Sequence, residues 1–406
     1  DFKEATDILT AESWGGDPAQ TANMVAINDI LMALGFATVV DAFGDVPFTE
    51  ALKRNEGVEP VYDDARSVYD ACIASIDNAV NHLKNNSGGA GSYGVADVLY
   101  GGDTDMWAKF GASLMMRLGM RLADVDNAAA KAAVEKANAY GTFADMSENG
   151  YMVYSGVVPH VNTTYRNFIV NGRKDYLPTA TIIDIMDIKE SANHQLGLQD
   201  PRISHYFTKV DTAGNGNEED MIYLGAEAGK DGAQTYQLFS HFADVFFEPT
   251  FPAMIIDYVE VAFLKAEAAQ RGYNVGGTAE EHYNMGITAS CLYWGATQAE
   301  VDAYLQASGV AYDAGKWKER IGVQKWIAMY NRGTEGWAEW RRLDYPMLHT
   351  PEGMVYNDIP KRMPYPYNEP LQNRTNYDDA VSRMPAPGDD QRTPVFWDVV
   401  PSPFAK

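Results

Sequence analysis

The spacing of apolar and polar positions predicts a first long helix from about Thr21 to Asp41. There Met24, Ile27, Leu31, Leu34 and Thr38 share one face, and Gly44 with Pro47 ends the pattern. A second helix, about Asp63 to Lys84, turns Val68, Cys72, Ile76, Val80 and Leu83 inward, and Asn85 to Gly94 reads as a flexible polar loop after it. Asp103 and Thr104 are N-cap types ahead of a third helix striped by Trp107, Gly111, Leu114 and Leu118, and an alanine-rich helix follows near Ala128 to Tyr140. From about Ser147 to Gly232 the period fades into Gly, Asn, Asp and Pro, with short strand-like pieces such as Tyr151–Tyr154 and Met221–Leu224.

Helical order returns at Tyr258 to Arg271 and at Ala279 to Trp294. In the latter, Ala279, Tyr283 and Gly286 repeat the small–aromatic–small spacing of a tetratricopeptide hairpin, which points to stacked helix pairs. One further helix is expected from about Ile321 to Arg342, with Trp326, Tyr330, Gly333, Trp337 and Trp340 as a core stripe. Beyond Tyr345-Pro346 the chain is proline-rich without a strong period and reads as an extended tail that wraps the helical body.

Charge narrows the function. Against 32 Lys+Arg stand 56 Asp+Glu, a net charge of −24 over 406 residues, and such a field repels a phosphate backbone, so no nucleic-acid partner is expected. The 12% aromatic content favours recognition surfaces. No run approaches the roughly 18 apolar residues that would span a bilayer. The chain opens on Asp1, which is read as a leader or tether removed upstream. Cys72 and Cys291 sit inside helical patterns and read as small buried apolar residues.

Local signatures of common chemistry are missing. Gly89-Ala90-Gly91-Ser92-Tyr93-Gly94 matches a dinucleotide loop formally but follows a helix, where no strand aims its amides at a pyrophosphate; a mobile loop is the better reading. The seven histidines lack the i, i+4 metalloprotease spacing, and neither a G-x-S-x-G elbow nor a C-x-x-C pair occurs. No cofactor and no catalytic residue is assigned. A glycosidase carboxylate pair needs no local motif and stays open as an alternative. Asp211 to Asp220 collects oxygen ligands around glycines, a composition that suits calcium, but its spacing is that of a surface turn rather than a twelve-residue calcium loop.

Three segments carry a resemblance. Val39-Val40-Asp41-Ala42-Phe43-Gly44-Asp45-Val46-Pro47-Phe48-Thr49-Glu50-Ala51-Leu52 resembles the helix-ending motif of SusD/RagB proteins. Tyr100-Gly101-Gly102-Asp103 with Trp107-Ala108-Lys109-Phe110-Gly111-Ala112-Ser113-Leu114 and Arg117-Leu118 is similar to their next helix, with Gly111-Ala112 in place of the usual Ala-Asn. Gln324-Lys325-Trp326-Ile327-Ala328 and Glu335-Gly336-Trp337-Ala338-Glu339-Trp340-Arg341-Arg342 resemble the family's carboxy-terminal helix, and Asp200-Pro201-Arg202, Pro364-Tyr365-Pro366, Glu369 and Asn373 continue the match.

The resemblance implies a mainly α fold of tetratricopeptide-like helix pairs in a right-handed superhelix, with loop-rich insertions and a few short β-strands. It implies one domain over 1–406, with a helical frame at about 20–145 and 255–345, an insert at about 147–250 and a tail at 346–406. It further implies a lipid-anchored protein facing outward on an outer membrane. Such a protein captures glycan, or peptide in some members, for a SusC-like TonB-dependent transporter. The motifs themselves read as structural, so ligand residues are sought on loops. A sugar needs exposed rings beside short polar groups; the candidates are Trp14, Arg54, Asn55, Tyr93, Tyr293, Trp294 and Tyr312, with a second cluster at Asn162, Tyr165, Arg166 and Asn167. A pure protein-binding scaffold is the third reading.

Overall fold

The computed structural model describes residues 2–11, 15–53, 59–190, 192–230, 235–351, 353–354 and 359–400. The first helices are α1 (Phe2–Thr10), α2 (Pro18–Phe43), α3 (Ala65–Asn85), α4 (Thr104–Arg121) and α5 (Asn127–Tyr140). Next come α6 (Thr163–Tyr165), α7 (Ala180–Met186), α8 (Ile203–Tyr206), α9 (Tyr258–Gln270) and α10 (Ala279–Tyr293). The last are α11 (Gln298–Leu305), α12 (Trp317–Ala328), α13 (Gly333–Leu343), α14 (Glu369–Gln372) and α15 (Arg374–Arg383). Strand β1 (Gly150–Met152) pairs antiparallel with β4 (Ala253–Ile256), and β2 (Val210–Asp211) with β3 (Met221–Ile222). The fold is mainly helical, as the periodicity requires.

The chain divides into two compact units, one of residues 1–148, 272–275 and 359–401, the other of 149–271, 276–358 and 402–406.

In the first unit α2 starts where the Asp17 carboxylate accepts the Ala19 and Gln20 amides at 2.8 and 3.0 Å, with Pro18 at the position where a missing N–H costs nothing. Contrary to the reading from sequence, α2 is long and apolar enough to cross a bilayer, with a mean hydropathy of 1.6 over 18 residues. Half of that window is buried against α1, α3 and α4, as in the core helix of a globular unit. Asp103 caps α4 as expected, accepting from Asp105 and Met106. A Cβ on Gly111 would lie 2.5 Å from Val80 and 2.9 Å from Ile30, so the Gly that departs from the family motif lets α4 sit close on α2 and α3.

The loop after α3 is not the mobile segment expected. The Asn23 carboxamide donates to the carbonyls of Ser87, Ala90 and Gly91 at 2.9 to 3.2 Å, and Gln20 donates to that of Ser92 at 2.8 Å. Its backbone dipoles are consumed by α2, which a sequence shows only as two polar residues on a helix.

Nor is the tail wholly extended. Tyr377, Ala380, Val381 and Met384, at i, i+3, i+4 and i+7, put one face of α15 and its cap against Tyr62 and Tyr365, a short amphipathic period that the eleven prolines of the tail obscured. Trp397 then donates its indole N–H to the buried Asp41 carboxylate at 2.8 Å, which also accepts the Tyr69 hydroxyl at 2.7 Å.

The second unit is held by buried ions. Arg202, fully buried, forms a fork with Asp200 (2.6 and 2.9 Å) and donates to Gln324 and Ser290, while Tyr304 donates to Asp200 at 2.6 Å. Arg342 bridges Glu267 and Glu339, and Lys325 meets Glu339 at 2.9 Å. The family motifs are thus an internal polar frame. Burial alone would raise the Glu267 carboxyl, but Arg342 and Arg271 hold it at about 2. A carboxyl depressed on folding contributes stability above its unfolded value of 4.5, which is lost as pH falls from 4.5 toward 2. Denaturant midpoints should fall across that window, and Glu267→Gln should flatten the slope; an unchanged slope in the variant would assign the acid sensitivity elsewhere.

One expected element is wrong in this unit. The single helix over 321–342 is two, α12 and α13, broken at Met329–Arg332, where Asn331 takes a left-handed φ of 66°. Asn tolerates that conformation better than most side chains, and Gly333 opens the next helix.

Candidate functional site

The break between α12 and α13 faces the end of α10 and the strand β4, and together they frame a cleft. Arg332 fixes the break by ion pairs of 3.0 Å to both Asp257 and Glu260, and Asp257 itself caps α9 by accepting the Glu260 amide at 2.8 Å. Burial raises the Asp257 carboxyl against the pull of Arg332. Across the cleft α10 ends in two aromatic residues, Tyr293 and Trp294, whose rings stand perpendicular at 88° with centroids 5.4 Å apart.

Trp294 forms the floor. Its ring packs on Tyr206 at 4.8 Å, Phe246 at 5.4 Å and Phe251 at 6.2 Å, and is half-buried. Tyr293, 43% exposed, forms the wall. Tyr330 stacks on Tyr206 with centroids 4.4 Å apart, and its buried hydroxyl has no hydrogen-bond partner among the described residues. Burial pushes that hydroxyl well above the usual tyrosine range, so it is protonated and available as a donor. The cleft that Tyr330 lines holds about 30 Å³, room for one water or one ligand hydroxyl. Phe251, Met254, Asn331 and Arg332 complete the lining.

Of the candidates named from sequence, the structure brings Tyr293 and Trp294 together in this cleft. Tyr312 stands apart from its lining: its hydroxyl donates to Gln270 at 2.7 Å and its ring packs on Tyr283, so it belongs to the helix frame, and burial raises it to about 12. Tyr93, in the first unit, donates to Asn28 at 2.8 Å and is half-buried, an anchor for the glycine-rich loop. Trp14, Arg54 and Asn55 lie outside the described residues. In the second cluster, Asn162 is buried, caps α6 and donates to the carbonyl of Phe251, a cleft residue, at 2.9 Å. Arg166 donates to the Pro159 carbonyl.

Sequence reasoning missed Tyr330, Asn331 and Arg332, because the aromatic stripe appeared to continue through them. The signal was present in Asn331, Gly333 and Thr334, three weak helix formers within four positions. The Asp211–Asp220 segment folds as a turn that satisfies itself: the Asp211 carboxylate accepts the Gly214 and Gly216 amides at 2.7 Å, and Asn215 and Asn217 donate to Asp220.

The cleft offers ring faces at right angles, one unengaged hydroxyl, a carboxamide and a guanidinium already neutralised by two carboxylates. This combination suits a ligand with apolar C–H faces and hydroxyls. Residues 1–366 match the SusD-like_2 family model, described as starch-binding and associating with outer membrane. Among solved structures the chain is similar to a chitin-binding protein (28% identity, TM-score 0.80, covering 98% of this chain and 86% of that one). It is similar also to a chitin-binding SusD homolog from Flavobacterium johnsoniae (25%, 0.81, covering 99% and 86%) and to a susd homolog from Bacteroides vulgatus ATCC 8482 (26%, 0.82, covering 99% and 83%). No curated protein matches the chain.

Proposed function

The chain belongs to the SusD-like family, and from that premise we propose that it is a non-catalytic cell-surface protein. In this reading it captures a neutral oligosaccharide on the Tyr293/Trp294 cleft and delivers it to a SusC-like TonB-dependent transporter. The observation that carries the reading is the pair of perpendicular rings lining one cleft with Tyr330, whose buried hydroxyl has no partner among the described residues: a sugar C–H face would rest on a ring while one ligand hydroxyl pairs with Tyr330. The chitin-binding relatives make β-linked N-acetylglucosamine chains the first ligands to test, with starch fragments next.

A binding role without chemistry is supported by Asp257, the carboxylate in the lining, which is committed to Arg332 and to the cap of α9. A lipid anchor on the outward face of the outer membrane accords with the family description. A protein partner is supported by the exposed apolar side chains Val153, Val157, Val158, Ile169 and Val170, on two segments tied by the Arg166–Pro159 hydrogen bond.

Calorimetric titration with chitooligosaccharides and maltooligosaccharides tests the cleft. Tyr293→Ala should weaken binding about tenfold, the equivalent of about 1.4 kcal/mol of lost ring contact. Tyr330→Phe should weaken it roughly threefold to tenfold while leaving the melting temperature unchanged, since only an unpaired hydroxyl is removed. Wild-type affinity in both variants would reject the placement, and binding of peptides alone would favour the peptide-capture alternative.

A further inference from the structure

We infer that the second unit carries a separate saccharide site, a cavity of about 260 Å³ enclosed by α7, the segment 226–228 and the segment 347–351. The inference rests on the glycan-binding reading above and adds to it a site for a single sugar ring, distinct from the cleft: the two linings share no residue.

The walls are fixed before any ligand arrives. Ala180 donates its amide to the Ala226 carbonyl at 2.8 Å, and Ala226 donates to the Pro178 carbonyl at 2.9 Å, which locks 226–228 alongside the start of α7. A Cβ on Gly225 would strike the backbone of Ala180, so the close approach requires glycine there. The opposite wall is gripped at one residue from both sides. Met347 donates its amide to Nε2 of the buried His194 at 2.7 Å and accepts at its carbonyl from the Asn193 carboxamide at 2.9 Å. His194 in turn faces Glu319 through Nδ1 at 3.3 Å, which sets its tautomer as the one protonated on Nδ1.

The lining names the ligand. Asp184 and Glu227 supply carboxylate oxygens, Thr181 and His349 add short polar groups, and Ile185 and Met347 give an apolar surface. Lys189 steadies Asp184 at 3.2 Å while its ammonium also donates to the Tyr223 carbonyl at 2.6 Å, and Lys230 meets Glu227 at 2.8 Å outside the cavity. None of the described lining residues is Lys or Arg. The cavity is therefore rich in acceptors and poor in cations. It fits a ligand that donates many hydrogen bonds and bears no negative charge, and its size, just under the usual range for small-molecule sites, fits one pyranose ring, either neutral or amino-substituted. A phosphorylated or uronic sugar would find no Lys or Arg among the described lining residues to meet its charge.

The test uses the full chain with glucose, glucosamine and glucose 6-phosphate, read by ligand-observed and protein-observed NMR titration beside the oligosaccharide titrations. Glucose or glucosamine should shift resonances around Asp184 and Ala228, and glucose 6-phosphate should bind at least tenfold more weakly. Ala228→Trp fills the cavity, and Asp184→Asn keeps the shape while removing the charge. Each should weaken monosaccharide binding about tenfold, and Tyr293→Ala should leave it within twofold. Monosaccharide affinity unchanged in Asp184→Asn and in a folded Ala228→Trp overturns the second site, as does tighter binding of the phosphorylated sugar, even where oligosaccharides still bind the cleft. Should saccharides of every length fail to bind the wild type, the glycan reading itself falls and the second site with it.

Discussion

Asp200→Ala is expected to cost about 3–5 kcal/mol of folding stability, the largest loss of any single substitution considered for this chain. The carboxylate and its Arg202 partner are both fully buried. Removing Asp200 leaves a guanidinium without its counter-charge in a low-dielectric interior and strips the Tyr304 hydroxyl of its acceptor. For a unit of this size the melting temperature should fall by roughly 6–20 °C. The double variant Asp200→Ala/Arg202→Met separates causes: with both charges gone it should recover most of the loss, because the penalty lies in the stranded ion. A double variant as unstable as the single one would place the stability in the geometry of the network.

Trp294→Ala should produce the second largest effect, and on two readouts at once. The ring packs on Tyr206, Phe246 and Phe251 as well as facing the cleft. Its removal should cost about 3 kcal/mol through the cavity left behind, and oligosaccharide affinity should fall by more than tenfold as the floor collapses. Trp294→Phe, which keeps a ring on that floor, should retain most of the stability and part of the affinity. Full affinity in Trp294→Ala, with lowered stability, would show that the ring is structural only. The double duty could not be read from the sequence, where an aromatic residue at a helix end looks like a platform that can be removed at little cost to folding.

What the sequence revealed follows from where physical constraints are local. Stripes such as Val68, Cys72, Ile76, Val80 and Leu83 are buried as spaced, because a helix face needs only its own period to declare itself. Caps such as Asp103 declare themselves too. Of the buried frame, Arg202, Gln324 and Arg342 stood out only through the family likeness, and their partner Glu267 did not stand out at all, since the partners lie 75 to 122 positions apart. Tyr293 and Trp294 stood out as aromatic residues at a helix end, but Tyr330 and Asn331 were hidden within an aromatic stripe whose continuity depended on a helix that stops. Nothing local tells a ring whose hydroxyl is spoken for, as that of Tyr93 is by Asn28 and that of Tyr312 by Gln270, from one facing solvent.

The grip of Trp397 on Asp41 has a consequence for how the chain is made. The first unit is discontinuous, and residues 149–271 and 276–358 leave the ribosome between its two main parts. At about 5–20 residues per second, on the order of ten to forty seconds separate the synthesis of Glu148 from that of Ile359. Throughout that interval the Asp41 carboxylate lacks its indole donor. That unit therefore closes only once the segment carrying Trp397 has been made, and a nascent chain stalled before residue 397 would carry a first unit in which Asp41 lacks its indole donor.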